Sequence, residues 1–416
     1  MHREISKCRI CGNSELVPIL DLGVQALTGV FPRQAGDWVE TGPLQLVKCC
    51  GTTKEEVCGL VQLRHSFEHD QLYGMNYGYR SGLNRSMVEH LGAIASKVRS
   101  LISFQSGDLA LDIGSNDGTL LRALKQEGVS MVGMDPTARK FRQYYDPEAH
   151  VIADFFSSSR FRQEFGNKRA KVVTSLSMFY DLDSPLEFMR QIGEILADDG
   201  VWVFEQSYLL SMLETNSYDT VCHEHQEYYA LGPILWMMKR AGIKIVDIEL
   251  NDTNGGSFCI TAAKADSSYR ENTALIQHTL ERERMACVDS LELYRGFEER
   301  VRNHKAELLS ALSRLRDQGK KVLGYGASTK GNVLLQYCGI TPRDLPFIAE
   351  VNPDKFGSVT PGTRIPIISE KEAHAMHPDV FMVLPWHFRK GIIEKEAEFL
   401  AGGGKLLFPL PAIELV

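Results

Sequence analysis

No run of apolar residues in this chain approaches the roughly 20 needed to cross a bilayer, which excludes a helical membrane-spanning architecture. The opening stretch MHREISKCRICG lacks the apolar core of a secretory leader, so a cytoplasmic location is expected. Positive charge is not in excess: the formal net charge is −7. That balance argues against a polyanion-binding protein, so neither nucleic acid nor membrane is expected as a partner. It leaves open a small anionic ligand held by local donors. Tandem repeats and low-complexity segments are absent. Without an oxidising compartment, the nine cysteines are expected to be metal ligands, catalytic groups or core residues rather than disulfides.

What is present is ordinary for a globular protein, with 44% hydrophobic and 24% charged residues. A length of 416 residues suggests two or three domains at about 150 residues each. Three blocks can be read: 1–75, Cys-rich with short strands and turns; 76–268; and 269–416. The second opens with a helical stretch over 83–101. Strand candidates 109–113, 131–134, 151–153, 172–175, 201–204 and 243–248 then alternate with helical stretches. This alternation predicts an α/β fold with a parallel, doubly wound sheet. A charged stretch over 270–318, free of proline, reads as one or two helices joining the blocks. A second α/β alternation follows, with strands at 322–325, 346–350, 380–383 and 405–408.

Five cysteines precede residue 60. Cys8 and Cys11 form a CxxCG turn that points two thiolates at one metal, and Cys49, Cys50 and Cys58 supply the second half. Four thiolates in tetrahedral array make a closed structural zinc site. Cys8, Cys11, Cys49 and Cys58 are the expected ligands, with Cys50 the alternative to Cys49. The rival is a nucleic-acid zinc ribbon, which the absence of a basic cluster in 1–75 disfavours.

The segment LALDIGSNDGTLL, residues 109–121, reads as strand, glycine turn and helix. Glycine lets backbone turn sharply and approach a ligand closely, as a pocket for S-adenosylmethionine (SAM) requires. Gly114, Asn116, Asp117 and Gly118 form the turn, and Asp112 precedes it. Asp135 ends the next strand about 20 residues on, where an acid meets a ribose hydroxyl pair in nucleotide-binding α/β folds. Asp154, after the third strand, is placed to meet an adenine amino group. The turn is not the GxGxxG of a dinucleotide site.

The reacting centre is sought in YDTVCHEHQEYY, residues 218–229, after the strand that ends in Glu205-Gln206-Ser207-Tyr208. It packs His223, Glu224, His225, Tyr228 and Tyr229 together. Histidine suits a general base because its ordinary pKa lies near neutrality. His223 and His225 on a strand would share a face and could instead hold a metal ion. Upstream, YGMNYGYRS (73–81) adds Tyr77, Tyr79 and Arg80 as candidate pocket residues.

Taken in order, CxxCG at 8–12, CGLVQL at 58–63, YGYRSG at 77–82, LDIGSNDGTLL at 111–121, CHEHQEYY at 222–229, NGGSF at 254–258 and GYGASTKGN at 324–332 resemble the sugar C-methyltransferase family. The resemblance spans nearly the whole chain. It implies an N-terminal zinc-binding domain, a class I SAM methyltransferase domain and a C-terminal Rossmann-like domain. It also implies methylation of C3 in a nucleotide-linked 4-keto-6-deoxy sugar, with SAM and structural zinc as cofactors. His225 is then the base, Glu224 its neighbour in the HEH motif, and Tyr77 and Tyr79 border the sugar. One departure is Cys222, where some members carry tyrosine; a thiol is a weaker donor than a phenol.

In the last block, KKVLGYGASTKGNVLLQY reads as strand, turn and helix, whose N-terminus can hold an anion. Ser328, Lys330 and Asn352 are the expected contacts to the sugar nucleotide, Lys330 to its phosphates. A dinucleotide site and a packing-only Rossmann domain are the alternatives. A monomer is expected.

Overall fold

The computed structural model describes residues 2–416 except 35, 52, 54–55, 69–71 and 73–78; Tyr77 therefore lies outside the described residues. The N-terminal block contributes β1 (His2–Glu4), β2 (Leu16–Ala26), β3 (Thr41–Cys49), β4 (Val61–Leu63) and β5 (His65–Phe67). β2, β3 and β4 form an antiparallel sheet. Its fourth strand, β11 (Glu227–Tyr228), comes from far along the chain and pairs with β4.

The central sheet contains β6 (Leu109–Ile113), β7 (Ser130–Met134), β8 (His150–Ile152), β9 (Ala170–Leu176), β10 (Leu196–Ser207), β12 (Ile243–Asn251) and β13 (Ser257–Lys264). Its order is β12-β13-β10-β9-β6-β7-β8. From β8 to β10 all neighbours are parallel, but β13 runs antiparallel to both β10 and β12. The sheet is therefore mixed, a correction to the all-parallel expectation. Nearly every side chain of β13 (SFCITAAK) is buried. Such a strand carries no period-2 alternation to mark it in the sequence.

Burial on both faces is visible in β6. Leu109, Leu111 and Ile113 join one apolar cluster, while Ala110 joins a second. Helix Arg85–Leu101 covers the second face through Met87, Leu91, Ile94, Ala95 and Val98, the i, i+3, i+4 pattern of one helix face. Asn84 caps it by accepting from Ser86 N at 3.0 Å. Strand order reverses between β6 and β9, and ligands of open α/β sheets bind at such switch points beyond the carboxyl ends of the strands.

Two helices, Thr273–Met285 and Leu291–Asp317, fill the charged stretch. The longer buries Tyr294, Phe297, Val301, His304, Leu308 and Leu312 along one stripe. His304 lies between the Tyr218 hydroxyl (3.0 Å) and the Pro409 carbonyl (2.6 Å), tying the central and C-terminal blocks together. The last sheet runs β16 (Ile367–Ser369), β15 (Ile348–Glu350), β14 (Val322–Tyr325), β17 (Val380–Val383), β18 (Lys405–Phe408), all parallel, with β19 (Glu414–Leu415) antiparallel at the edge. One continuous apolar cluster takes residues from all three blocks, from Leu20 through Phe204 to Phe408. Among the described residues, no helix is long and apolar enough to cross a membrane.

Candidate active site

The cysteine cluster forms as expected. The Cys8 and Cys58 sulfurs are 3.5 Å apart, as are those of Cys11 and Cys49. All four lie within 4.8 Å of one another. Tetrahedral zinc with Zn–S bonds of about 2.3 Å needs sulfurs about 3.8 Å apart, so the set fits that ion. Cys8 and Cys11 flank a tight turn closed by Gly12 N donating to Cys8 O at 2.9 Å. Cys49 ends β3 and Cys58 precedes β4. Cys50 stands outside the cluster, which decides between the two candidates. Four thiolates and a divalent ion carry net negative charge, and two buried cations, Arg9 and Lys48, lie beside them. Among the described residues this is the only group of three or more His, Cys, Asp or Glu side chains close enough to share an ion.

The glycine turn follows β6 at the switch point. Gly118 has φ +73° and opens helix Thr119–Leu124. A Cβ there would stand 2.8 Å from the Tyr145 ring, so both conformation and packing demand glycine. The Tyr145 hydroxyl donates to Asn116 O at 2.8 Å and fixes the turn from beneath. Asp135 accepts from Asn116 N at 2.8 Å and from Thr137 N and Oγ1 at 2.6 Å each. Burial raises its carboxyl above the usual range, against those hydrogen bonds. Asp112 is buried under the turn, bonded to Thr174 Oγ1 at 2.6 Å, and burial pushes its pKa up to about 7. It therefore supports the turn from within the sheet. Asp154 is exposed after β8, beside the exposed ring of Phe155.

The residues upstream of helix Arg85–Leu101 lie over this turn. Asn116 Oδ1 accepts from Ser81 N at 2.9 Å, and its Nδ2 donates to Tyr79 O at 3.2 Å. Asp117 Oδ2 accepts from Gly82 N at 3.0 Å. Arg80 Nε is 3.7 Å from Asp117 Oδ2, and its guanidinium lies 4.1 Å from the Tyr144 ring centre. That Nε is buried without a hydrogen-bond partner among the described residues, an orphan donor facing the turn's own acid. The Asn116 and Asp117 side chains thus hold the 79–82 segment against the glycine turn.

The HEH segment lies where the three blocks meet, and its residues point different ways. His225 Nδ1 is 2.9 Å from Thr220 O. A carbonyl only accepts, so Nδ1 carries the proton and Nε2 holds the lone pair. The ring packs on Tyr180, centroids 4.2 Å apart. Burial first, then the Lys330 ammonium, push its pKa down to about 3, keeping it neutral at working pH.

His223 is fully buried and turned away into the N-terminal sheet. Its Nε2 meets Gly42 O at 3.3 Å, its Nδ1 meets Thr28 Oγ1 at 3.5 Å, and Phe67 packs edge-on at 4.7 Å. Both nitrogens are engaged, and the metal-pair alternative finds no group including His223 among the described residues. Glu224 accepts from Thr28 Oγ1 at 3.2 Å, and a Cβ on Gly29 would lie 2.2 Å from its Oε1. Burial raises its carboxyl. The Thr220 carbonyl orients the His225 ring. The Tyr228 hydroxyl reaches the same carbonyl at 3.4 Å. A small cavity touches Tyr180, Ser207, Tyr208, Thr220, His225 and Tyr228.

The C-terminal glycine turn is filled by protein. A Cβ on Gly326 would be 2.6 Å from Pro385. Ala327 N donates to Glu350 at 2.9 Å, and Ser328 caps its own helix by accepting from Gly331 N at 3.0 Å. Asn352 likewise accepts from Asp354 N at 3.0 Å. Ser328 Oγ and Asn352 Oδ1 are thus engaged as acceptors of backbone N–H groups. Lys330 differs. Its Nζ donates to Asn254 O at 2.7 Å, beside Asp219, whose Oδ2 accepts from Trp386 Nε1 at 2.8 Å. Asp219 Oδ1 is buried without a hydrogen-bond partner among the described residues. Sequence reasoning missed Tyr180, Thr220, Asp219 and Arg9. Arg9, inside the CxxC turn, and Asp219 and Thr220, inside the 218–229 segment, carried a motif signal; Tyr180 carried none.

Three family models match the chain in tandem: Putative zinc binding domain (residues 8–73), Methyltransferase domain (87–248) and C-methyltransferase C-terminal domain (252–411). C-methyltransferase NovU of Streptomyces niveus is 30% identical over 98% of this chain and 96% of its own length. Among solved structures, an O-methyltransferase family protein from Burkholderia thailandensis matches with TM-score 0.36 and 15% identity, covering 48% of this chain and 64% of that one. The 1,6-didemethyltoxoflavin N1-methyltransferase of the same organism matches with TM-score 0.34 and 14% identity, covering 44% and 81%. These two likenesses carry no argument about chemistry. With the methyltransferase fold and the four-cysteine centre come SAM and zinc as its cofactors. The chain belongs to the C-methyltransferase family, joining a zinc-binding module, a SAM-dependent methyltransferase domain and that family's C-terminal domain.

Proposed function

We propose that this enzyme methylates C3 of a nucleotide-linked 4-keto-6-deoxy sugar, with His225 as the base. The observation that carries the reading is the tautomer of His225, set by Thr220 O at 2.9 Å, which leaves Nε2 as a proton acceptor. The C4 ketone acidifies the C3 hydrogen. His225 Nε2 takes that proton, and the electron pair passes into an enolate. SAM, when bound, supplies the methyl group. C3 forms the new carbon–carbon bond as the sulfur–methyl bond breaks, and the imidazolium then gives its proton to solvent. Thr220 O holds the imidazolium through Nδ1–H.

Gly114, Asn116, Asp117, Gly118, Asp135 and Asp154 would border SAM, with Arg80 offering its free donor to a carboxylate at the turn. Lys330 would face the diphosphate or the enolate oxygen, a role the Cys222 thiol serves poorly. Tyr79 and Tyr228 would border the sugar.

The test is mass spectrometry of the products from SAM and a panel of nucleotide-linked 4-keto-6-deoxy sugars, run in deuterium oxide. A gain of one methyl group, with exchange at C3 when SAM is omitted, supports C-methylation through an enolate. Methylation without C3 exchange would point to an oxygen or nitrogen acceptor instead.

A further inference from the structure

Arg9 sits between two zinc ligands, Cys8 and Cys11, yet its side chain leaves the metal centre. It enters the seam between β4 and β11. Nη1 donates to Leu63 O at 2.5 Å and to Gln62 Oε1 at 3.3 Å; Nη2 donates to Ser66 Oγ at 2.8 Å and to His65 O at 3.3 Å. Nε donates to Gln226 Oε1 at 3.1 Å and lies 3.7 Å from Glu227 Oε1. The Arg9 and Glu227 side chains are 4% and 0% exposed, so the pair is shielded from water and from salt.

Gln226 adjoins His225. Its Nε2 donates to Asp181 O at 3.0 Å, and its backbone N donates to Tyr180 O at 2.8 Å. Tyr180 is the ring on which His225 rests. The Gln226 backbone O accepts from Leu63 N at 2.8 Å. One amide therefore has the zinc turn at one end and the floor of the reacting imidazole at the other.

We propose that Arg9 is a positioning residue: it carries the geometry of the zinc turn to His225 through Gln226 and Tyr180. Zinc, by shaping the Cys8–Cys11 turn, aims the guanidinium. Four guanidinium donor contacts hold residues 62–66, and the fifth, from Nε, holds Gln226, which in turn bonds the 180–181 backbone. The reading rests on His225 as the reacting group, but the positional link can be tested apart from it. Lysine lacks the planar fork and cannot reproduce these contacts.

The test uses full-length, zinc-loaded Arg9→Lys and Gln226→Leu with ring-labelled histidine, the His225 signal being assigned by its loss in His225→Ala. Zinc content should stay at wild-type level and SAM affinity within about 2-fold. The His225 ring signals should move in both variants, and kcat should fall roughly 10- to 100-fold with a smaller change in KM, the scale of a misplaced group. Combining the two variants should cost no more than the worse one alone, because they break one chain of contacts. If Arg9→Lys leaves both the His225 signals and kcat as in wild type, the link is overturned. Should the signals move while neither Arg9→Lys nor His225→Ala slows turnover, the link stands and the base assignment falls. Should Arg9→Lys prove unstable, the milder Gln226→Leu carries the same signal and kcat test alone.

Discussion

His223 gives the sharpest quantitative prediction, because its burial ties it to stability rather than to turnover. Its imidazole is fully buried between Gly42 and Thr28, and burial pushes its pKa from 6.5 down to about 4. The unfolded chain therefore binds a proton more readily than the native state. Stability from this group is complete above pH 6.5 and declines as the pH falls, until about pH 4. Each pH unit in that window costs about 1.4 kcal/mol, so the full loss is about 3 kcal/mol. His223→Gln retains a donor for Gly42 O but cannot be protonated. Urea unfolding of both proteins at pH 7.5, 6 and 5 separates this residue from all others that titrate. The stability gap between wild type and variant should close by about 2 kcal/mol between pH 7.5 and pH 5, since wild type alone loses stability there through this residue. A gap that stays constant would show that the ring is not held neutral, and the assigned burial would be wrong. Turnover at pH 7.5 should stay within a few-fold of wild type; a loss as deep as that of His225→Ala would return His223 to the reacting centre.

His225→Ala should abolish product while leaving SAM affinity within a few-fold, checked by calorimetry beside the product assay. Lys330→Met removes the charge that lowers the His225 pKa, so the acid limb of the kcat–pH profile should shift to higher pH; an unmoved limb refutes the coupling. Cys58→Ser should lose zinc by elemental analysis and destabilise the fold, and full metal content would exclude Cys58 as a ligand. Gly118→Ala must place a methyl 2.8 Å from the Tyr145 ring at φ +73°, so SAM binding should weaken at least about 10-fold, with about 1–3 kcal/mol lost in thermal unfolding.

Local chemistry was legible wherever one short segment carried it. The β6 and β14 boundaries, the glycine turn and the Cys8–Cys11 pair follow from spacing alone, because each depends on residues a few positions apart, whereas the choice of Cys49 over Cys50 needed the fold. The HEH segment was found but its internal division of labour was not. Period-2 reasoning puts His223 and His225 on one face, whereas the chain turns between them, with His225 N bonded to Cys222 O. Strand β11 begins only at Glu227. The C-terminal turn shows the same limit. GYGAST looks open to an anion, and only the fold reveals Pro385 and Glu350 occupying it. Contacts such as Trp386 with Asp219 or Tyr180 with His225 join distant residues and leave no spacing to read.

The pairing of β11 with β4 has a consequence for how this chain is made. Arg9 meets Gln226 across 217 positions. A ribosome that has finished the cysteine module has not yet supplied the strand that closes its sheet, so β4 emerges with an open edge. Such an edge invites pairing with a neighbouring nascent chain until the HEH segment follows. A fragment cut after residue 75 would keep that edge permanently. Transplanting the module between relatives would carry the same cost unless the 223–229 segment travelled with it. For inheritance and for engineering, the first 75 residues and this distant segment are one unit split in two along the chain.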